Sequence, residues 1–304
     1  MSELVTFKVG EASPANTFFA IWMANAAGLY EANGLKLEIV HVVGGKESGP
    51  DLTSGRIDLM HIGMSSVVRA NSTGSDLVTV GSLSNIIRNS MFTAPGITTA
   101  ADLKGKKVGI SSAGSETDPT TTLALRKLGL KRSDVTIVEI GVKRLDHVRN
   151  GEVAASLMGE PYRSAAMAMG MKPIVDLYVD KTPWLYSGLV VHRKFLKDHR
   201  DRVKRFLKAT VEGNYLAVKD AAKAKPVLAK ELGITDPTIV DVTYANFRAE
   251  TPMNAEPTLE GAQNIIEVLA PANKNTDAYV DVTVFEELKA EGFYEAMKKK
   301  YGGR

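Results

Sequence analysis

A chain of 304 residues is long enough for two lobes that each bury a core, and 44% hydrophobic with 24% charged residues is an ordinary globular balance. A formal charge of +3 is too mild to argue for nucleic acid, and the lack of any cysteine excludes disulfides, a thiolate nucleophile and a cysteine-based metal site. No run approaches the ~20 apolar residues of a membrane span.

The opening Met1-Ser-Glu runs straight into Leu4-Val-Thr-Phe-Lys-Val9, which is not the pattern of a signal peptide. Either a cytosolic chain or a mature secreted form is compatible with it. Residues 4–9 alternate and predict a first strand. Residues 10–16 are loop, with Ser13-Pro14-Ala15-Asn16 as turn and cap material, and residues 17–31 predict one largely buried helix stopped by Asn33-Gly34. Residues 35–43 predict the second strand. Gly44-Gly45-Lys46 is a sharp loop able to bring backbone close to a ligand. A short helix over 50–54, a strand over 56–63, a helix start at Met64-Ser65-Ser66 and a strand over 77–83 follow.

After Asn85 the chain crosses through residues 86–94 to a Pro95-Gly96 turn and a short helix at 99–104. The plan then repeats: strand 107–110, a small polar turn, helix 119–128, strand 135–140, helix 144–150 and strand 154–158. The spacing repeats as well, since Gly55-Arg-Ile-Asp-Leu-Met-His-Ile-Gly63 aligns with Gly151-Glu-Val-Ala-Ala-Ser-Leu-Met-Gly159. Ser65-Ser66 and Glu160-Pro161-Tyr162 fall in equivalent loops. Two βαβ lobes of like plan account for this order. A helix over 163–171 and a strand over 174–178 lead to a second crossing at 184–191. Amphipathic helices are predicted from 194 onward, over 220–232, 236–247, 259–268 and 285–299, and these should pack back on the first lobe.

The turn at 111–118 is the organising stretch. Ser111, Ser115 and Thr117 put hydroxyls beside free backbone N–H groups at a helix start, a seat for an anionic or strongly polar group. The same hydroxyls serve equally as caps. The helix start is either Asp118 capping Pro119, or Ser115 as cap with Asp118 three residues on. Strand-end loops of both lobes should converge on one region, where ligands bind in open α/β sheets, and two crossings give a hinge that permits closure.

Several pieces taken together resemble periplasmic solute-binding proteins of ABC importers of the nitrate/sulfonate/taurine (NitT/TauT) type, whose relatives include binders of thiamine precursors. They are Gly28-Leu-Tyr-Glu-Ala-Asn-Gly-Leu-Lys-Leu, Ser54-Gly-Arg-Ile-Asp-Leu, Asp102-Leu-Lys-Gly-Lys-Lys-Val-Gly-Ile, Gly114-Ser115 and Glu160-Pro161, in order over the first two thirds of the chain. The resemblance implies an α/β, two-lobed periplasmic binding protein type II fold, each lobe a mixed sheet flanked by helices, with a two-strand hinge. Lobe 1 is expected as residues 1–88 with 188–304, and lobe 2 as 89–187. It further implies a periplasmic monomer that needs no cofactor or metal, captures a small polar or anionic solute and delivers it to a membrane permease without catalysis.

Family ligands sit against the loop after the first strand, here Ser13 to Thr17, and against the helix start after Gly114-Ser115. Candidate ligand contacts are thus Ser13, Asn16, Thr17, Gly45, Ser65, Ser66, Arg88, Ser111, Ser115, Glu116, Thr117, Glu160, Trp184 and Tyr186. Each has a plainer role. The serines, threonines and Asn16 can cap, Trp184 and Tyr186 can pack the crossing, Arg88 can lie on the surface, and Glu160 can cap a helix opening at Pro161. Glu116 is a departure, because facing the cleft it repels an anion. Capping of the following helix is the expectation preferred for it.

An enzyme on the same fold, like the thiamine-pyrimidine synthases or aromatic decarboxylases, is the first rival. The five histidines (His41, His61, His147, His192, His199) lack metal-ligand spacing, and the cysteine cluster of the pyrimidine synthases is missing. The effector domain of a transcription regulator is a weaker rival, since the chain starts directly on a strand.

Overall fold

The computed structural model describes residues 3–11, 15–42, 48–160 and 162–302. Two five-stranded mixed sheets carry the architecture. In the first, β1 (Val5–Glu11) pairs in parallel with β2 (Leu35–His41) and with β3 (Leu59–Ile62). The chain continues through β4 (Leu77–Ile86) and leaves for the second sheet, made of β5 (Ser90–Thr93), β6 (Lys107–Ile110), β7 (Thr136–Glu139), β8 (Ala155–Met158) and β9 (Pro173–Asp176). It returns as β10 (Pro183–His192), antiparallel between β3 and β4. The strand orders are β2-β1-β3-β10-β4 and β7-β6-β8-β5-β9, the same plan with one antiparallel strand inserted beside the third.

The repeat seen in the sequence is kept in the register. Val9 faces Leu59 and Gly10 faces Met60 in the first sheet, while Val108 faces Ala155 and Gly109 faces Ser156 in the second. Those partners occupy matching places between the paired glycines. Gly55 and Gly151 both hold positive φ, 72° and 70°, the region only glycine enters freely, so each turns the chain into its central strand.

The apolar pattern fills three clusters. Phe7 stacks on Phe206 of helix Arg200–Lys219 at 4.8 Å, and Phe206 on Tyr30 at 5.3 Å, so the long C-terminal helix seals the first sheet. A second cluster is shared between the halves. Met60 and Val67 of one, Val108 and Leu125 of the other, and Ile265 of helix Leu259–Leu269 bury one another around Trp184. Among the described residues no helix is long and apolar enough to cross a membrane.

Three local expectations change. The helix expected over 17–31 is a 3-10 turn (Asn16–Phe18), a helix (Phe19–Ala26) and a second short one (Leu29–Ala32), because Gly28 at φ 68° ends the first in the left-handed region. Gly292 divides the last helix in the same way, into Thr283–Ala290 and Phe293–Tyr301. The return to the first half also comes earlier than residue 188. Pro183 pairs with Ile86 and Ser187 with Ser84, so Trp184 and Tyr186 lie on a strand of the first sheet, and the connections between sheets are 87–89 and 177–182.

Candidate functional site

A cavity of about 190 Å³ opens where the two connections pass between the sheets. The turn after β1 brings Asn16 and Thr17, the outgoing connection Arg88 and Asn89, and the returning one Tyr178. The second half adds Arg144, Gly159, Glu160 and Tyr162, and the first half closes it with Tyr186, Asn246 and Glu250.

Arg88 is the anchor. Its side chain is only 9% exposed, and Nη1 lies 3.0 Å from Glu250 Oε2, itself 8% exposed. Arg88 Nε donates to Ser84 Oγ at 2.9 Å and Nη1 to Asn16 Oδ1 at 3.4 Å. Nη2 is buried with no hydrogen-bond partner. The other oxygen of Glu250, Oε1, accepts from the Tyr178 hydroxyl. Burial pulls the guanidinium of Arg88 below its ordinary range and pushes the carboxyl of Glu250 up, each opposed by the other's charge.

Arg144 is held differently. It opens helix Arg144–Arg149, and its Nε and Nη1 donate to the carbonyls of Leu157 and Gly141 at 2.8 and 3.3 Å. No carboxylate among the described residues pairs with it. Burial depresses its pKa, opposed by the nearby phenols of Tyr186 and Tyr162. Tyr186 in turn accepts from Asn89 Nδ2 at 3.1 Å, and burial raises its own hydroxyl. A partly buried cation held only by carbonyls attracts an anion strongly.

Glu116 does not cap its helix. It precedes helix Thr117–Lys127 in α-helical conformation without a side-chain cap and reaches across to the other half. Oε2 accepts from Trp184 Nε1 at 2.7 Å and from Ser65 Oγ at 2.9 Å, while Oε1 accepts from the Ser65 N–H at 3.2 Å. Ser65 lies in the first turn of helix Met64–Ser72, so the carboxylate sits where a helix end favours an anion. Gly63 makes room for it: a Cβ there would lie 2.1 Å from Oε1. Burial lifts the Glu116 carboxyl to about 7, against the hydrogen bonds from Trp184 and Ser65 and the charge of Arg69. A second tie runs alongside, Arg69 Nη1 lying 3.7 Å from Asp118 Oδ2.

The hydroxyls of the 111–118 turn face one another. Ser111 Oγ donates to Ser115 Oγ at 2.8 Å, Ser115 Oγ lies 2.7 Å from Thr117 Oγ1, and the Ser111 N–H donates to Thr117 Oγ1 at 2.9 Å. The helix therefore starts at Thr117, ahead of Asp118-Pro119 and uncapped by Ser115. Asp118 accepts instead from the Gly114 N–H at 3.1 Å and pairs with Arg132 Nη2 at 2.6 Å.

Of the residues expected at a site, the cavity brings together Asn16, Thr17, Arg88, Glu160 and Tyr186. Glu160 stays at the rim, exposed, where it accepts from the Ser164 N–H at 3.1 Å and so caps helix Tyr162–Ala168. Ser65, Glu116 and Trp184 form the tie between the halves, and the N–H of Ser66 donates to the Gly63 carbonyl within its helix turn. Ser13 and Gly45 lie outside the described residues. Sequence reasoning missed Asn89, Arg144, Tyr162, Tyr178, Asn246 and Glu250. Arg144 carried one usable signal, the basic pair Lys143-Arg144 at a helix start, where the dipole disfavours positive charge.

Among the described residues no group of histidines and carboxylates is placed to hold a metal. His61 is half-buried, its ring edge-on to Phe18 at 5.1 Å, and desolvation pushes its pKa down to about 4.

A family model described as NMT1/THI5 like matches residues 15–224. The chain is 30% identical over 194 residues to a putative aliphatic sulfonates-binding protein of Bacillus subtilis, covering 62% of this chain and 56% of that one. It is 24% identical over 225 residues to the 4-amino-5-hydroxymethyl-2-methylpyrimidine phosphate synthase of Schizosaccharomyces pombe, covering 69% and 64%. The chain thus spans somewhat less than two thirds of the length of either relative. In fold it is similar to the periplasmic aliphatic sulphonate binding protein SsuA of Escherichia coli, with a TM-score of 0.70, 23% identity and coverage of 97% and 100%. The two-sheet architecture is accordingly that of periplasmic binding proteins.

Proposed function

The chain belongs to the NMT1/THI5-like family, and on that footing we propose that it is a non-catalytic solute-binding component of an ABC-type importer, closing its two halves on a small organic anion. One observation carries the reading. Arg144 lines a cavity that opens to solvent and has no carboxylate partner among the described residues, and Arg88 lines the same cavity. An anionic head pairs with the uncompensated charge of Arg144, and the phenols of Tyr162, Tyr178 and Tyr186 offer amphipathic walls to the rest of the solute. The sulfonate-binding relative and the SsuA fold support sulfonates or carboxylates as the class. In this reading the halves divide at the connections 87–89 and 177–182, which act as the hinge. The protein works in the periplasm as a monomer and delivers its solute to a membrane permease.

The synthase relatives favour a second reading, an enzyme on the same fold. Thermal-shift and calorimetric screening against sulfonates, carboxylates, nitrate and pyrimidines separates the two, since a ligand that binds only the folded form raises apparent stability. Recovery of a stabilising anion unaltered is the expected outcome. Chemical conversion of any stabilising compound replaces the transport reading with the enzymatic one.

A further inference from the structure

We propose that Glu250 sets the charge the cavity accepts, so that it takes solutes with a singly charged head and rejects doubly charged heads of the same shape. This deepens the anion-binding reading and rests on it. Four charged side chains line the cavity among the described residues: Arg88, Arg144, Glu250 and Glu160. Glu160 is exposed at the rim and lies 3.7 Å from Arg163 Nη1, and the charges of these two residues act on Glu250 in opposite directions. Inside, Arg88 pairs with Glu250 while Arg144 has no carboxylate partner among the described residues, leaving a single positive charge.

A head with one negative charge neutralises that remainder. A head with two leaves an unpaired negative charge in a space where Arg88 and Glu250 are already nearly closed to solvent, and such a charge is strongly penalised. Glu250 is built as a fixed charge and not as a ligand contact waiting for a proton donor. Both its oxygens are engaged, Oε2 by Arg88 and Oε1 by the Tyr178 hydroxyl. It therefore repels the second negative charge of a solute while holding Arg88 in place, discrimination by an unfavourable element.

The test uses isosteric pairs, benzenesulfonate against phenylphosphonate and butane-1-sulfonate against butylphosphonate. Calorimetry is run at about pH 8.5, where the phosphonates are largely doubly charged and the sulfonates singly. Wild-type protein is expected to bind each sulfonate at least ~10-fold tighter than its phosphonate, about 1.4 kcal/mol. Glu250→Gln should bring the pair to within about 3-fold, mainly by raising phosphonate affinity. Tyr178→Phe removes the hydrogen bond but keeps the charge, and should retain the sulfonate preference.

Should Glu250→Gln fail to fold, the wild-type pH series decides. Near pH 6, where the phosphonates become largely singly charged, their affinity should approach that of the sulfonates. The ratio to the sulfonate cancels the titration of Glu116, which acts on both ligands alike. An unchanged ratio in folded Glu250→Gln, or in the pH series, overturns the role of Glu250 and leaves the anion site standing. Failure of wild type to bind either class overturns both.

Discussion

Glu116 and Glu250 are two carboxylates withdrawn from water between the same two sheets, and they are held by opposite means. Glu250 faces a guanidinium at 3.0 Å. Glu116 accepts hydrogen bonds from neutral donors, the Trp184 indole, the Ser65 hydroxyl and a backbone N–H at a helix start, and the charge of Arg69 acts on it without direct contact. A full opposite charge fixes the anion, whereas dipoles satisfy its hydrogen bonds and offset less of the desolvation. Burial raises both carboxyls, and Glu116 reaches about 7. The difference separates two jobs. The arginine-paired carboxylate shapes the charge of a cavity, and the dipole-held one ties the halves together in a way that protons can modulate.

The largest expected effect falls on the cavity side. Arg144→Ala should lower affinity for a bound sulfonate on the order of 100-fold, about 3 kcal/mol, with the melting temperature nearly unchanged because Arg144 has no carboxylate partner to strand. Calorimetry beside a melting curve checks both halves, and unaltered affinity removes Arg144 from the site.

On the tie, the sign follows from linkage. The closed form holds the Glu116 proton up to about pH 7, while a solvated Glu116 releases it near the ordinary glutamate value of 4.5. Protons therefore favour the closed form. Its stability is greatest below about pH 4.5 and falls as pH rises to about 7, by at most about 3 kcal/mol from this group. Small-angle scattering of the unliganded protein should show more closed form at about pH 5.5 than at about pH 8. Glu116→Gln should flatten that dependence, and a dependence that survives the substitution puts its origin elsewhere.

A smaller effect is expected at Gly63, where a Cβ would displace the Glu116 carboxylate. Gly63→Ala should cost about 1–3 kcal/mol through lost hydrogen bonds and crowding. Glu116→Ala in the same chain should recover part of that loss, and a purely additive double mutant breaks the assignment. The smallest effect on binding belongs to the 111–118 turn. Ser115→Ala with Thr117→Ala should lower stability by about 1–2 kcal/mol while affinity stays within about 3-fold, since these hydroxyls bond one another. A large loss of affinity would bring the turn back into the site.

The comparison also shows how far a linear chain can be read. Pairing of Val9 with Leu59 and of Val108 with Ala155 follows the glycine spacing visible in the sequence, because strand entry is a local matter of backbone sterics and apolar runs. Arg88 was legible as a polar residue stranded on a crossing, and Asn16 and Thr17 as loop residues after a strand. Glu250 lay beyond the expected end of its helix, and its neighbour Tyr178 is 72 residues away. Glu116 was misread as a cap because helix-start rules weigh only nearby residues. Its partners Ser65 and Trp184 are 51 and 68 residues distant.

By itself, then, the sequence determined the repeated strand–turn–helix plan and the two sheets, since these rest on periodicity and on glycine placed within a few residues. Tertiary structure decided which charges meet. Carboxylates and guanidiniums carry no local signature of their partners, and only the packing of two halves around Trp184 sets the distances and desolvation that give Glu116, Glu250 and Arg144 their separate chemistry.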